Sequence, residues 1–469
     1  MTEVLKIVTM LAAASLMARA AAAKTAGTPE GPPPGGGRIL PYAIHTTTLA
    51  NGLKVIVVPY ESPGLVAYWT VVRAGSRDEV EPGLSGFAHF FEHMMFRGTE
   101  RYSREKYNDV LKALGAEHNA FTSDDLTAYH ILAPSSALDT LMTIESDRFM
   151  NLKYPVEDFR KEAGAVLGEY NKNATNPFRR LQEALREAAF TKHTYRHTTI
   201  GFLKDIKNMP NQYEYSRRFF DRFYRPEHCM LLVVGDAKPE EVFALAKERY
   251  GGWKRGTWKS TVAAEPEQKR EKRIDVPWPV ATQTHLYAGY HVPGFSLSSP
   301  ELPALDIVAE LLFSEAAPLY QKLVVDEQVV DILAGGVEDH RDPYLFTWVA
   351  RLKKDADAAR VEAAITGALD AMTRDLVPEE RLARVRSHLK AAFAMRLDTP
   401  SATAGVLARF LALAGDPEAV NRVYAMYDTV TPEQIREAAR RAFTPGSRTI
   451  ATLRKGSEEK APRPAGSGG

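Results

Sequence analysis

The sequence predicts an α+β protein made of two homologous domains in tandem, each a sheet packed with helices. Three observations carry that prediction. The chain has 469 residues and 45% hydrophobic content, more than one ordinary core organises. A strand and helix order runs through residues 46–262 and recurs through residues 277–455. Between them, residues 263–276 are rich in Glu, Lys, Arg and Pro without an apolar period, and read as an interdomain linker.

Residues 1–23 read as a signal peptide. Lys6 supplies a modest positive start, Ile7 to Met17 is apolar, and Ala18-Arg19-Ala20 and Ala21-Ala22-Ala23 offer small-residue cleavage sites. Arg19 and the shortness of the run argue against a stable membrane span, so export to a periplasm is expected. Residues 24–45, with Pro32-Pro33-Pro34-Gly35-Gly36-Gly37, read as a flexible linker. Thr47 to Tyr60 reads as a hairpin about Asn51-Gly52, and Leu65 to Arg73 as a further strand. Phe87 to Phe96 has helical spacing, Ser103 caps a helix to Leu114, and His118 to Thr122 and Thr127 to Leu132 are strands. Helices then dominate to about Arg225, before a strand at Cys229 to Val234 and a helix at Pro239 to Tyr250. Beyond the linker, Thr282 to Tyr290 is strand-like, and Glu301 to Phe313 is a helix placed as Phe87 to Phe96 is in the first half. Val329 to Gly335, Leu345 to Arg351 and Arg448 to Leu453 are strands, and the charged, Gly/Pro-rich tail 456–469 is expected to be disordered.

The 60 basic and 59 acidic residues leave a net charge of +1, which offers no electrostatic case for nucleic acid. A single cysteine, Cys229, excludes an internal disulfide framework and, within CMLLVVG, reads as core packing.

The chemistry concentrates in His89-Phe90-Phe91-Glu92-His93. This H-x-x-E-H order reverses the H-E-x-x-H zinc helix. Residues i and i+4 share a helix face, so both imidazoles can grip one cation while Glu92 serves as a base beside them. The plainer reading is a buried helix with merely hydrogen-bonded histidines. Two imidazoles and a carboxylate within five residues need partners when buried, and a divalent cation satisfies all three. A third ligand must come from elsewhere. Phe159 to Asn173 reads as a helix with Glu162 and Glu169 seven apart on one face, and Val166 between them at a pocket wall. Spacing alone does not select Glu169.

Four stretches resemble the pitrilysin/insulinase family of zinc peptidases, the inverzincins. They are Gly86 to Ser103, Gly115 to His130, the helix with Glu162 and Glu169, and Arg222 to Asp236. The resemblance runs from about Thr46 to Lys455 and is more specific in the first half. It implies a pair of α+β domains forming half of a clamshell, and one Zn2+ per chain. Glu169, 76 positions past His93, stands where the family's distal ligand stands, so His89, His93 and Glu169 are the expected ligands. Glu162 matches an outer carboxylate that orients them, and Glu92 the catalytic base. Asn119, Ala120, Phe121 and Thr122 resemble a substrate-binding edge strand that pairs with extended peptides, with Phe121 expected to line the pocket just past the cut bond. His118 and His130 fall outside any ligand spacing. The second-half helix ELPALDIVAELLF carries no H-x-x-E-H, so only the first half can hold the metal.

One departure matters. Members that act alone or as identical pairs carry an Arg and a Tyr seven apart in the later half, where they hold the substrate. Val324 and Asp331 stand at those positions here, and neither supplies the required donors at neutral pH. The chain thus resembles the zinc-bearing subunit of the two-chain bacterial and mitochondrial-processing-peptidase-like members. A heterodimer with a homologous chain supplying the Arg/Tyr pair is expected. The competing readings are a non-catalytic scaffold subunit and a processing peptidase for targeting segments.

Overall fold

Two sheets with matching strand orders organise the molecule, which is described for residues 38–456 in a computed structural model. The expected signal peptide and nearly all of the expected tail lie outside the described residues. The first sheet runs β1 (His45–Thr48), β2 (Lys54–Pro59), β6 (Cys229–Gly235), β3 (Leu65–Val72), β5 (Thr127–Pro134) and β4 (Glu117–Thr122) from edge to edge. The second runs β7 (Lys272–Trp278), β11 (Arg448–Lys455), β8 (His285–Val292), β10 (Tyr344–Leu352) and β9 (Val330–Val337). Apart from the hairpin partner β1, the orders correspond strand for strand. In each, one parallel pair (β2 with β6, β7 with β11) precedes antiparallel neighbours. β6 is buried along its whole length because helices cover both faces, which explains its unbroken apolar run.

β7 departs from expectation. It spans Lys272–Trp278, takes residues 272–276 out of the expected linker and pairs in parallel with β11. The rest of that linker is tied down: Glu265 accepts hydrogen bonds from the backbone N–H groups of Thr191, Lys192 and His193 at 2.8–2.9 Å. The described end of the N-terminal linker is also docked rather than free. Leu40 is fully buried, its N–H donates to Asn421 Oδ1 at 3.0 Å, and Arg38 pairs with Glu418 at 2.8 Å. Ile39, Tyr42 and Ile44 pack on the same apolar cluster, since an apolar run after the glycines gains by burial.

The two halves do not keep separate cores. Helix Pro177–Ala189 of the first half lies on the second sheet, with Leu181 and Leu185 against Tyr287, Leu345 and Ala451. Helix Pro400–Ala414 of the second half covers the first sheet, with Leu407 and Leu411 in the cluster that holds Trp69 and Leu232. Each helix begins with Pro at its first turn behind a capping side chain, Asn176 or Thr399. A sheet with two apolar faces needs two covers, and each half lends one to the other. Among the described residues no helix is long and apolar enough to cross a membrane.

A buried ionic junction fastens this exchange. Asp124, in the β4–β5 turn, accepts from Ser76 Oγ (2.6 Å), Arg186 Nη2 (2.7 Å) and His340 Nε2 (3.1 Å). Asp125 accepts from Tyr195 Oη and the Arg341 N–H, while Asp342 accepts from Arg77 Nε and His193 Nε2. Burial alone would raise the Asp124 carboxyl, yet Arg186 and His340 hold it well below the usual carboxylate range. The cluster joins the second-half loop 338–343 to the turn that follows β4.

Candidate metal centre and peptide-binding edge

Helix Phe87–Met94 owes its place to phenylalanines. Phe87, Phe90 and Phe91 are all buried, and each contributes roughly 1.5–3 kcal/mol of transfer free energy. Phe91 stacks on Phe219 with centroids 5.4 Å apart. Phe90 meets Phe159 edge-on at 5.0 Å, and Phe159 belongs to helix Val156–Asn173. That contact, with Ala163 and Val166 fully buried, seats the second helix against the first. Val166 is therefore a core residue, not part of a pocket wall.

The helix starts at Gly86, whose φ of +94° suits glycine. A Cβ there would lie 2.6 Å from the Ile200 carbonyl oxygen. With no side chain at the cap position, the helix is capped from elsewhere. The Glu79 carboxylate accepts the N–H groups of Gly86 and Ala88, both at 2.7 Å, and is itself 3% exposed. Burial pushes Glu79 well up, against those two hydrogen bonds. Sequence reasoning missed Glu79. Its one signal is a helix start without Ser, Thr, Asp or Asn at the cap.

The structure brings His89, His93 and Glu169 together. One ligand atom from each lies within 4.8 Å of the others, and no other such group occurs among the described residues. Glu169 Oε2 is 3.5 Å from Nε2 of both histidines. His93 Nδ1–H donates to Glu162 Oε1 at 2.9 Å, which turns Nε2 toward His89 and Glu169. Glu162 Oε2 in turn accepts from Arg97 Nε at 2.5 Å. Burial lowers His89 to about 4, so it is neutral at neutral pH. Hydrogen bonds to Glu162 and then Glu169 push His93 up to about 9. A cation competing for that imidazole must displace a proton. The hydrogen bond from His93 lowers Glu169, and Glu162 is lowered too, as His93 and Arg97 overcome its burial. Two imidazole nitrogens and one carboxylate oxygen converging on one point, backed by an outer carboxylate, suit zinc with an open fourth position.

Glu92 lies beside this triad. Its Oε2 accepts from Thr122 Oγ1 at 2.6 Å, and burial raises its pKa against that bond. Thr122 ends β4, which among the described residues pairs only with β5 and leaves its other edge open. The Ser123 N–H donates to the Leu126 carbonyl. By alternation, His118, Ala120 and Thr122 therefore turn their main-chain groups to the open edge. The Ala120 N–H is met there by Asn119 Oδ1 at 2.9 Å.

Alternation also sorts the side chains. Thr122 faces the triad. Ala120, 8% exposed, belongs to the apolar cluster of helix Phe87–Met94. Phe121 is on the opposite face, edge-on to Trp69 with centroids 6.1 Å apart and 38% exposed. Phe121 therefore lies on the face of β4 away from Thr122 and the triad. His130 stacks on Trp69, and His118 lies against Phe96 and Tyr107, both away from the triad. In the second half, Val324 packs against the core, and Asp331 is engaged by Arg351 Nε and Nη2 at 2.8 and 2.9 Å.

Comparison with known proteins shows the family and the fold. The family described as Insulinase (Peptidase family M16) matches residues 55–201, and the Peptidase M16 inactive domain matches residues 212–389. The zinc protease PqqE of Helicobacter pylori is 28% identical over 376 residues, 78% of this chain and 83% of its own. The mitochondrial-processing peptidase subunit beta of Caenorhabditis elegans is 24% identical over 426 residues, 87% of this chain and 89% of its own. A crystal structure of a protease from Helicobacter pylori superposes with a TM-score of 0.82 at 25% identity, covering 88% of this chain and 99% of the other. The first half of the periplasmic protease PqqL from Escherichia coli shares the fold with a TM-score of 0.70 at 19% identity, over 88% and 92% of the two chains.

Proposed function

The chain belongs to the insulinase family, peptidase family M16, and from that membership we propose that it is a zinc-dependent endopeptidase hydrolysing extended oligopeptides. The observation that carries the proposal is the meeting of His89, His93 and Glu169 beside Glu92 and an open strand edge. One zinc ion held by those three residues would polarise the scissile carbonyl and acidify the attacking water. The peptide lies along β4, its main chain paired with Ala120 and displacing the Asn119 side chain from the Ala120 N–H. Asn119, Ala120, Phe121 and Thr122 form that binding strand. The Glu92 carboxylate takes a proton from the attacking water and returns it to the leaving amine nitrogen. Glu162 holds His93 with Nε2 toward the metal position, and Arg97 holds Glu162.

The missing Arg/Tyr pair supports a two-chain enzyme, in which a homologous partner supplies those donors. The similarity to a processing-peptidase beta subunit supports the same reading and keeps cleavage of targeting segments as the second reading of the substrate. A scaffold role is disfavoured because all four chemical residues are kept. The leader pattern and the likeness to a periplasmic protease support a periplasmic location.

The test is Glu92→Gln, assayed with quenched peptides in the presence of the co-purified partner. Turnover should fall by about 10²–10⁴-fold with zinc retained. Normal turnover in that variant would remove Glu92 from its role. Full activity from the purified chain alone would remove the partner.

A further inference from the structure

Resting on that peptidase reading, we propose that Thr122 is a positioning residue that orients the Glu92 carboxylate, so that the strand receiving the peptide also aims the base. The hydroxyl of Thr122 donates to Glu92 Oε2 at 2.6 Å, within the range of charge-assisted O–H···O⁻ bonds. Among the described residues, the hydrogen bonds given to the Glu92 side chain come from Thr122: its hydroxyl and, more weakly, its backbone N–H, which a valine keeps. A glutamate on a helix face has three side-chain torsions, and helix Phe87–Met94 restricts only the first of them. The contact with β4 therefore selects the rotamer.

Thr122 is itself held by its sheet partners. It pairs with Thr127 across β4 and β5, and Thr127 Oγ1 donates to the Ala74 carbonyl at 2.9 Å. The next residue is held at both backbone groups: the Ser123 N–H donates to Leu126, and the Ser123 carbonyl accepts from Ser76. Asp124 follows, locked to Arg186 and His340 in the junction between the halves. A β-branched side chain on such a strand has a restricted χ1, so the hydroxyl direction is set by the backbone. Ala120, the neighbour on the same face, has no group that could do this. One strand thus presents its edge to the substrate and its terminal hydroxyl to the base, and its position depends on a second-half histidine and loop.

A purely structural role would satisfy a half-buried carboxylate and nothing more, and its loss would show in stability and zinc content. A positioning role shows in kcat. The test compares full-length Thr122→Val, which keeps shape and removes the hydroxyl, with Thr122→Ser, which restores it. Both are zinc-loaded, assayed with the partner, and crystallised. Thr122→Val should lose about tenfold or more in kcat, with KM and zinc affinity within about twofold of wild type. Thr122→Ser should recover to within about threefold. The Glu92 carboxylate should leave its wild-type position in the valine crystal and keep it in the serine crystal. A valine variant with wild-type kcat, or one that loses zinc in step with activity, overturns the proposal. If wild-type protein shows no Glu92-dependent cleavage, the peptidase reading fails. The Glu92 position in the valine crystal still decides the role of Thr122, and an unmoved carboxylate there refutes it.

Discussion

Replacing Asp124 with alanine strips the junction between the two halves of its central anion. Three donors converge on that carboxylate at 2.6–3.1 Å: Ser76, Arg186 and His340. Arg186 is 5% exposed, and its other described hydrogen bond goes to the Tyr195 carbonyl at 2.8 Å. Without Asp124, the buried guanidinium loses its direct ion pair and faces His340, with Glu338 left as a more distant counter-charge. Removing one partner of a buried pair costs about 3–5 kcal/mol. A lost neutral hydrogen bond alone would cost about 0.5–1.5 kcal/mol. Against a typical stability of about 5–15 kcal/mol, the expected loss is about a fifth or more. The assay is the urea midpoint at pH 7, followed by tryptophan fluorescence. Asp139→Ala is the control: Asp139 pairs with Arg249 at the surface, and its loss should leave the midpoint in place. The double variant Asp124→Ala/Arg186→Met should recover part of the loss, since it removes both charges. An Asp124→Ala midpoint within about 1 kcal/mol of wild type would refute the reasoning. So would a double variant in which the two losses simply add.

Glu79→Ala should leave the N–H groups of Gly86 and Ala88 unpaired, cost about 1–3 kcal/mol and weaken zinc binding, read by denaturation and chelator competition. Arg97→Leu should leave Glu162 tethered by His93 alone and lower zinc affinity about 10–100-fold in the same competition. The Asp306→Asn prediction concerns pH. Burial raises the Asp306 carboxyl from 3.8 to about 6, although Tyr427 Oη donates to it at 2.8 Å. Because the folded value lies above the unfolded one, the aspartate's stabilising contribution is complete below 3.8 and lost as pH rises through about 6. Asp306→Asn should therefore raise the denaturation midpoint at pH 7.5, and the gain should shrink as pH falls from 6 to 4.

The histidine pair is legible in the chain because its geometry is local: i and i+4 on one helical turn. Glu162 and Glu169 are legible as a helix face, and only the resemblance distinguishes their roles. Glu79 is hidden because it caps a helix across an intervening loop, which no periodicity records. β7 is hidden because only Val276 of its seven residues is buried and Pro277 lies within it, as an edge strand permits. The exchange of helices Pro177–Ala189 and Pro400–Ala414 is hidden for a different reason. An apolar stripe says that a helix covers something, not whose sheet it covers. Strand alternation makes the face of Phe121 readable once β4 is placed, but only the packed Trp69 shows which face that is.

Zinc-edge anomalous diffraction from crystals of the purified protein tests the central claim most directly. The account predicts one strong peak per chain, within bonding distance of His89 Nε2, His93 Nε2 and a Glu169 carboxylate oxygen, and its loss in Glu169→Gln. A peak elsewhere, or none in zinc-soaked crystals with those three side chains ordered, would contradict it.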